Sequence, residues 1–139
     1  MKKVIVYTFV LLVGIASASN AELTLTPSQS VIKENPPKTI CIKNAQAADA
    51  TKFFSSTTSL FFEVYKPGSK ADFVAIIDKL KATEGVENCV PGNINGDYYA
   101  ITLTLKATKD KTWFAKTFKD AGLEHIKINN NEAIEVGKL

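Results

Sequence analysis

Hydrophobic and polar positions follow a regular pattern only from Ser59 onward. From Ser59 to Tyr65, large apolar residues occupy every second position, which predicts a strand with one buried face. Ser69 then has the character of a helix N-cap, and the apolar residues after it recur at i, i+3, i+4 and i+7. This spacing predicts an amphipathic helix. Its apolar stripe consists of Phe73, Ile76, Ile77 and Leu80.

The same reasoning predicts four further elements. Gly85 ends the helix, and Val86 to Val90 forms a second strand. Pro91 to Asp97 is rich in turn-forming residues and predicts a hairpin into the most regular strand, Tyr98 to Leu105. A second helix starts near Lys109, Gly122 caps it, and the last strand is Leu123 to Ile128.

The predicted order is strand, helix, strand, strand, helix, strand over residues 58–129. Two right-handed crossovers in this order predict an α+β, ferredoxin-like βαββαβ sandwich. Its sheet has four antiparallel strands, with both helices on one face and the second and last strands at the edges. The residues predicted to face the helices are Leu60, Phe62, Val64, Tyr99, Ile101, Leu103, Leu105, Ile126 and Ile128. Those predicted to face away include Phe61, Glu63, Tyr65, Tyr98, Thr102, Thr104 and His125.

The chain outside this domain is less regular. Residues 22–57 are interpreted as an irregular N-terminal segment, with a short strand at Thr39–Ile42 and a helical turn or two between Asn44 and Phe54. Residues 130–139 are interpreted as a C-terminal tail.

The start of the chain predicts export. Two lysines follow Met1, an apolar run extends from Val4 to Ile15, and small residues follow, as in a secretory signal peptide. The apolar run is shorter than the roughly 20 residues of a spanning helix. Cleavage after Ala18 or after Ala21 fits the small-x-small rule, and the second is preferred, giving a signal peptide of residues 1–21. We therefore expect a secreted or periplasmic protein without a membrane span in the mature chain.

Charge gives no indication of nucleic-acid binding. Without the lysines at positions 2 and 3, 15 basic residues face 14 acidic ones, and none of the basic residues is arginine. The chain therefore lacks the basic excess typical of nucleic-acid or acidic-membrane partners. It also lacks the planar guanidinium that recognises phosphate or carboxylate with two bonds.

Two segments carry a resemblance to a known family. Leu80 to Cys89, with its Glu-Gly-Val phrase, and Lys119 to Leu123 resemble the heavy-metal-associated domain family over roughly residues 58–129. The resemblance implies the same strand and helix order and a role in carrying copper or zinc. The family's Met-x-Cys-x-x-Cys motif, however, aligns its cysteines with Ser69 and Asp72. Soft ions need sulfur ligands, so we expect that this metal site has been lost and that both residues serve as a helix cap.

The remaining candidate chemistry involves two cysteines and one histidine. A disulfide between Cys41 and Cys89 would close a loop of about 48 residues and stabilise the fold by about 4 kcal/mol, while two separate buried thiols are the alternative. A metal site for copper or zinc would use Cys41, Cys89 and His125. No nucleophile or acid–base motif surrounds His125, so we expect neither an enzyme nor a cofactor.

The sheet face away from the helices is the candidate partner surface. Phe61, Tyr65, Tyr98, Thr102 and Thr104 would expose aromatic rings and hydroxyls there. Two alternatives are that residues 39–54 fold back over this face, the preferred one, and that two copies pair through it as a homodimer. The leading hypothesis is thus an exported, non-enzymatic binding or interaction module. The alternative is a periplasmic metal-binding or metal-trafficking protein.

Overall fold

The computed structural model describes residues 34–43 and 49–139. The predicted signal peptide, residues 22–33 and the start of the predicted helical turn at residues 44–48 lie outside the described residues.

In the part of the chain that the structure describes, six strands form one sheet in the order β3-β4-β2-β1-β5-β6. Neighbouring strands are antiparallel except β1 and β5, which are parallel. The strands are β1 (Thr39–Ile42), β2 (Ser59–Tyr65), β3 (Val86–Asn95), β4 (Tyr98–Leu105), β5 (His125–Ile128) and β6 (Ile134–Glu135). The mixed α+β class is confirmed.

Within the described residues, three helices and a C-terminal 3₁₀ turn accompany the sheet, and each of these helices begins at a side-chain cap. The helices are α1 (Ala50–Ser56), α2 (Lys70–Lys81) and α3 (Lys111–Asp120), and the turn is Val136–Lys138. Asp49, Ser69 and Asp110 each accept a hydrogen bond from a backbone N–H in the first turn of their helix, which satisfies an otherwise unpaired donor. No helix among residues 34–43 and 49–139 is long and apolar enough to cross a membrane.

The hydrophobic core lies between the helices and one face of the sheet. The predicted stripe of α2 is buried, and Phe118 of α3 packs edge-on against Phe62 of β2 with ring centroids 5.5 Å apart. Every strand residue predicted to face the helices is buried except Tyr99, which is half-buried against Phe73. Alternation along β2, β4 and β5 therefore predicted the inner face of the sheet.

The sheet differs from the predicted four-stranded arrangement at its centre. In that arrangement the last strand would pair with the first, Ser59–Tyr65. Instead β1 lies between them, antiparallel to β2 and parallel to β5. All four residues of β1 are buried, as expected for a central strand. The last strand is therefore not an edge, while β3 is one, as predicted.

The β3–β4 hairpin is longer than predicted. Strand β3 continues to Asn95, and the turn is the pair Gly96-Asp97, with Gly96 at a φ of 61°. A glycine at the first position suits a two-residue hairpin turn of this kind. Pro91 is accommodated because β3 is an edge strand with a register shift between Pro91 and Ile94.

Both segments outside the predicted domain contribute to its core. Ile40 of β1 and Phe54 of α1 have no exposed surface, and Val136 of the C-terminal turn is 1% exposed. Phe54 packs against Phe114 of α3 with ring centroids 4.7 Å apart, on the helix side of the sheet. The preferred fold-back of residues 39–54 over the other face is therefore wrong, because β1 is part of the sheet and α1 lies beside α3.

Candidate interaction surface

The sheet face opposite the helices, here called the open face, is built by strand alternation. Cross-strand register places Phe61 beside Thr102 and Tyr65 beside Tyr98, and Thr39 and Cys41 of β1 beside Tyr65 and Glu63. The five residues predicted as a partner surface, Phe61, Tyr65, Tyr98, Thr102 and Thr104, therefore share one face. They do not share one environment.

Residues just before β1 cover the tyrosine end of the open face. The Tyr65 hydroxyl donates a hydrogen bond to the Glu34 carboxylate, which also pairs with Lys66 at 2.7 Å. The Asn35 amide donates to the Tyr98 hydroxyl at 3.5 Å. Tyr65 is consequently 4% exposed, and its ring packs on Tyr98 at 5.0 Å. Tyr65 therefore presents no free aromatic surface, whereas Tyr98 is half-buried.

The hydrogen bonds of this covering contact shift the pKa values of its acidic groups. Hydrogen bonds from Lys66 and Tyr65 hold the pKa of the Glu34 carboxyl below its usual value. The carboxylate in turn raises the pKa of the Tyr65 hydroxyl. Both shifts favour the ionised acid and the neutral phenol, so the contact is stable near neutral pH.

The other end of the open face is uncovered by the described residues and carries no charge. Phe61, Thr102 and Val90 form one row across β2, β4 and β3, and Ser59, Thr104 and Asn88 form the next. Phe61 is 56% exposed and Val90 is 48% exposed. We call these six residues the uncharged patch.

The edge beside the uncharged patch is poorly suited to pairing with another strand. Pro91 has no backbone N–H, and register shifts occur between Val86 and Asn88 and between Pro91 and Ile94. Bulges and proline are usual devices against edge-to-edge association. A partner therefore has better access to the face than to the edge.

The two cysteines are free, so the predicted disulfide alternative is wrong. Cys41 lies on the open face opposite Glu63, whereas Cys89 lies opposite Leu103 and belongs to the core on the other face. Their strands are three positions apart in the sheet, or about 14 Å at the usual spacing. A disulfide needs alpha carbons within about 7 Å, so the two thiols lie separately, as the second alternative stated.

The proposed metal ligands are not brought together. His125 shares the open face with Cys41, two register positions along, but Cys89 is on the opposite face. Among the described residues, no group of three or more His, Cys, Asp or Glu side chains is arranged to hold a metal ion. Ser69 and Asp72 form a capping box, in which the Asp72 carboxylate accepts from both the Ser69 N–H, at 2.8 Å, and its hydroxyl, at 2.7 Å. These bonds lower the pKa of Asp72.

A cavity of about 480 Å³ lies over β1 and β5 on the open face, next to its covered end. The residues that line it include Cys41, Tyr98, Asn35, Asn130, Lys43 and Lys127. Cys41 is 5% exposed, and burial raises the pKa of its thiol against the opposing effect of the two lysines.

Sequence reasoning missed part of the uncharged patch and part of the cavity. Ser59, Val90 and Asn88 were not included in the predicted surface, although the alternation of Val90 and Asn88 with Cys89 was a usable signal once Cys89 is placed in the core. The cavity depends on β1 lying next to β5, and no local pattern indicates that pairing.

Comparison with family models, with curated proteins and with solved structures gives no match for this chain.

Proposed function

We propose that this chain is an exported, non-enzymatic binding module that binds a protein partner through the uncharged patch. The observation that carries the proposal is the exposure of Phe61, a large aromatic side chain of β2 that is 56% accessible and shares a row of the sheet with the exposed Val90, with Thr102 between them. Single exposed apolar residues are common, but a group of them on one rigid surface is typical of interaction sites.

The composition of the patch favours a protein over other partners. The centres of protein interfaces are depleted in charged residues and enriched in aromatic ones. All six patch residues are uncharged, and the nearest charge on β2, Glu63, is paired with Lys43 at 2.5 Å. Because the patch lies on three hydrogen-bonded strands, binding would require little ordering of the backbone.

The same proposal includes export of the chain and a relation to the heavy-metal-associated family. Export rests on the charged, apolar and small-residue order of residues 1–21. A relation to the heavy-metal-associated family rests on the Glu-Gly-Val phrase after α2 and on the element order from β2 to β5, which would make this a ferredoxin-like unit with β1 added inside its sheet. The use of Ser69 and Asp72 as a cap supports a binding role without a soft-metal site.

Site-specific cross-linking tests the proposed surface. A photo-reactive phenylalanine analogue at position 61 is compared with the same analogue at Val74, which is 48% exposed on α2 on the other side of the molecule. We expect the probe at position 61 alone to capture one defined protein in cells that export this chain. The Phe61→Ser and Val90→Ser variants should each weaken binding of that purified protein at least tenfold, and Val74→Ser should not.

Three results would contradict the proposal. Equal capture from positions 61 and 74 would show that the patch is not selective. A cross-link between two copies would assign the patch to a homodimer instead of a different partner. Affinity unchanged by Phe61→Ser, in a variant whose thermal midpoint shows that it is folded, would place the binding site elsewhere.

A further inference from the structure

We propose that the cavity over β1 and β5 is a binding site for a small organic carboxylate, with the Lys127 ammonium as its charge partner and the Tyr98 ring beside its apolar body. This site is separate from the uncharged patch, and the inference does not rest on the protein partner proposed there.

The size and position of the cavity suit a small molecule. Its volume of about 480 Å³ falls within the roughly 300–1,000 Å³ of typical ligand sites. Two adjacent strands and the residues preceding β1 form its walls. The Asn35 side chain connects these walls, because its amide group donates to the Tyr98 hydroxyl and its oxygen accepts from Lys127.

The charge of the lining favours an anion as the ligand. Among the described residues that line the cavity, two are lysines and none is acidic. Lys43 already pairs with Glu63. Within residues 34–43 and 49–139, the Lys127 ammonium donates to the neutral Asn35 oxygen at 3.3 Å, and none of the ion pairs there includes it.

The cavity itself offers Lys127 no anion. Burial keeps the Cys41 thiol protonated, because it raises the thiol pKa. Among the described residues, no carboxylate compensates the charge of the half-buried Lys127 side chain, in surroundings where charge-assisted hydrogen bonds are stronger than in water.

The neutral part of the lining favours an organic carboxylate over an inorganic anion. Cys41 and Tyr98 line the cavity together with Lys127, and the Lys43 ammonium lies 5.4 Å from the centroid of the Tyr98 ring. An inorganic phosphate would have to give up hydration against these groups without hydrogen bonds in return. A carboxylate with a flat apolar body would use both the charge and the ring.

Titration with sodium benzoate, followed by amide NMR shifts, tests this site, with benzamide as a neutral probe of the same shape and inorganic phosphate as a third probe. We expect saturable shifts around Cys41, Tyr98 and Lys127, and binding of benzamide at least tenfold weaker. Lys127→Gln should weaken benzoate binding at least tenfold. The control Lys106→Gln, an exposed lysine after β4, should change it less than twofold.

A second measurement checks the location. In a Cys89→Ser background, bound benzoate should slow the reaction of Cys41 with a thiol reagent. The proposal is overturned if benzoate gives no saturable shift, if benzamide binds equally well, or if folded Lys127→Gln keeps full affinity. Saturable binding of phosphate without benzoate would also overturn it, in favour of an inorganic-anion site.

Discussion

The two cysteine side chains share burial but occupy different environments. Cys89 has no exposed surface in the core, and burial raises its pKa to about 11. Cys41 borders a cavity, where Lys127 and Lys43 partly oppose the effect of burial on its thiol. Thiolate is the reactive form, so at neutral pH we expect Cys41 to react faster than Cys89, and both to react more slowly than in the unfolded chain.

Since both thiols are free, we expect a reducing agent to have no effect on the thermal stability of the protein. Because the structure has no bond between Cys41 and Cys89, dithiothreitol should leave the thermal midpoint unchanged, and the denatured, never-reduced protein should titrate two thiols per chain. Calorimetry and a thiol-reagent assay measure these values. A midpoint that falls on reduction, or a mass lower by two hydrogens under non-reducing conditions, would show that a disulfide forms.

At the scale of elements, substitutions in α2 test which of its residues form the buried stripe. Ile77 is 5% exposed and Val74, on the same helix, is 48% exposed. Ile77→Ala should lower the free energy of unfolding by about 2–5 kcal/mol, since it empties a packed aliphatic site. Val74→Ala should change it by no more than about 0.5 kcal/mol. Urea unfolding monitored by circular dichroism measures both, and equal midpoints for the two variants would mean that the stripe faces elsewhere.

Elements with a local signal were predicted, whereas the pairing of strands that are distant in sequence was not. The Ser69 cap and the stripe of α2 are encoded within a dozen residues, and the alternation of β4 is visible by inspection. A short strand at Thr39–Ile42 was also predicted, but all four residues of β1 are buried, so no alternation indicated its place at the centre of the sheet. Strand β6 has only two residues, and its pairing with β5 has no sequence signature.

The residues of the candidate surfaces were likewise predicted where the signal is local and missed where it depends on distant parts of the chain. Phe61 and Thr102 were predicted because alternation alone places them on the open face. Tyr65 and Tyr98 were predicted to be exposed, but hydrogen bonds to Glu34 and Asn35, more than 30 residues earlier in the chain, cover them. Alternation determines which face a side chain takes, whereas its exposure also depends on segments that are distant in sequence.

At the scale of the whole molecule, β1 joins two parts of the sheet that have no other strand pairing between them. The β2–β4–β3 part and the β5–β6 part both hydrogen bond to it. Ile40, at its centre, lies opposite Val64 on one side and Ile126 on the other. Removal of this side chain therefore loosens packing on both sides together.

Ile40→Ala should consequently lower the free energy of unfolding by about 2–5 kcal/mol while unfolding remains a single transition. The single tryptophan, Trp113 in α3, reports on the helix layer, and far-ultraviolet circular dichroism reports on the whole backbone. Ile134→Ala, at a 43% exposed position in β6, is the matched control and should change stability by no more than about 0.5 kcal/mol. Because β1 is the common partner of both parts, the two signals should shift to the same lower midpoint. Separate midpoints would mean that the β5–β6 part unfolds independently and that β1 does not unite the domain.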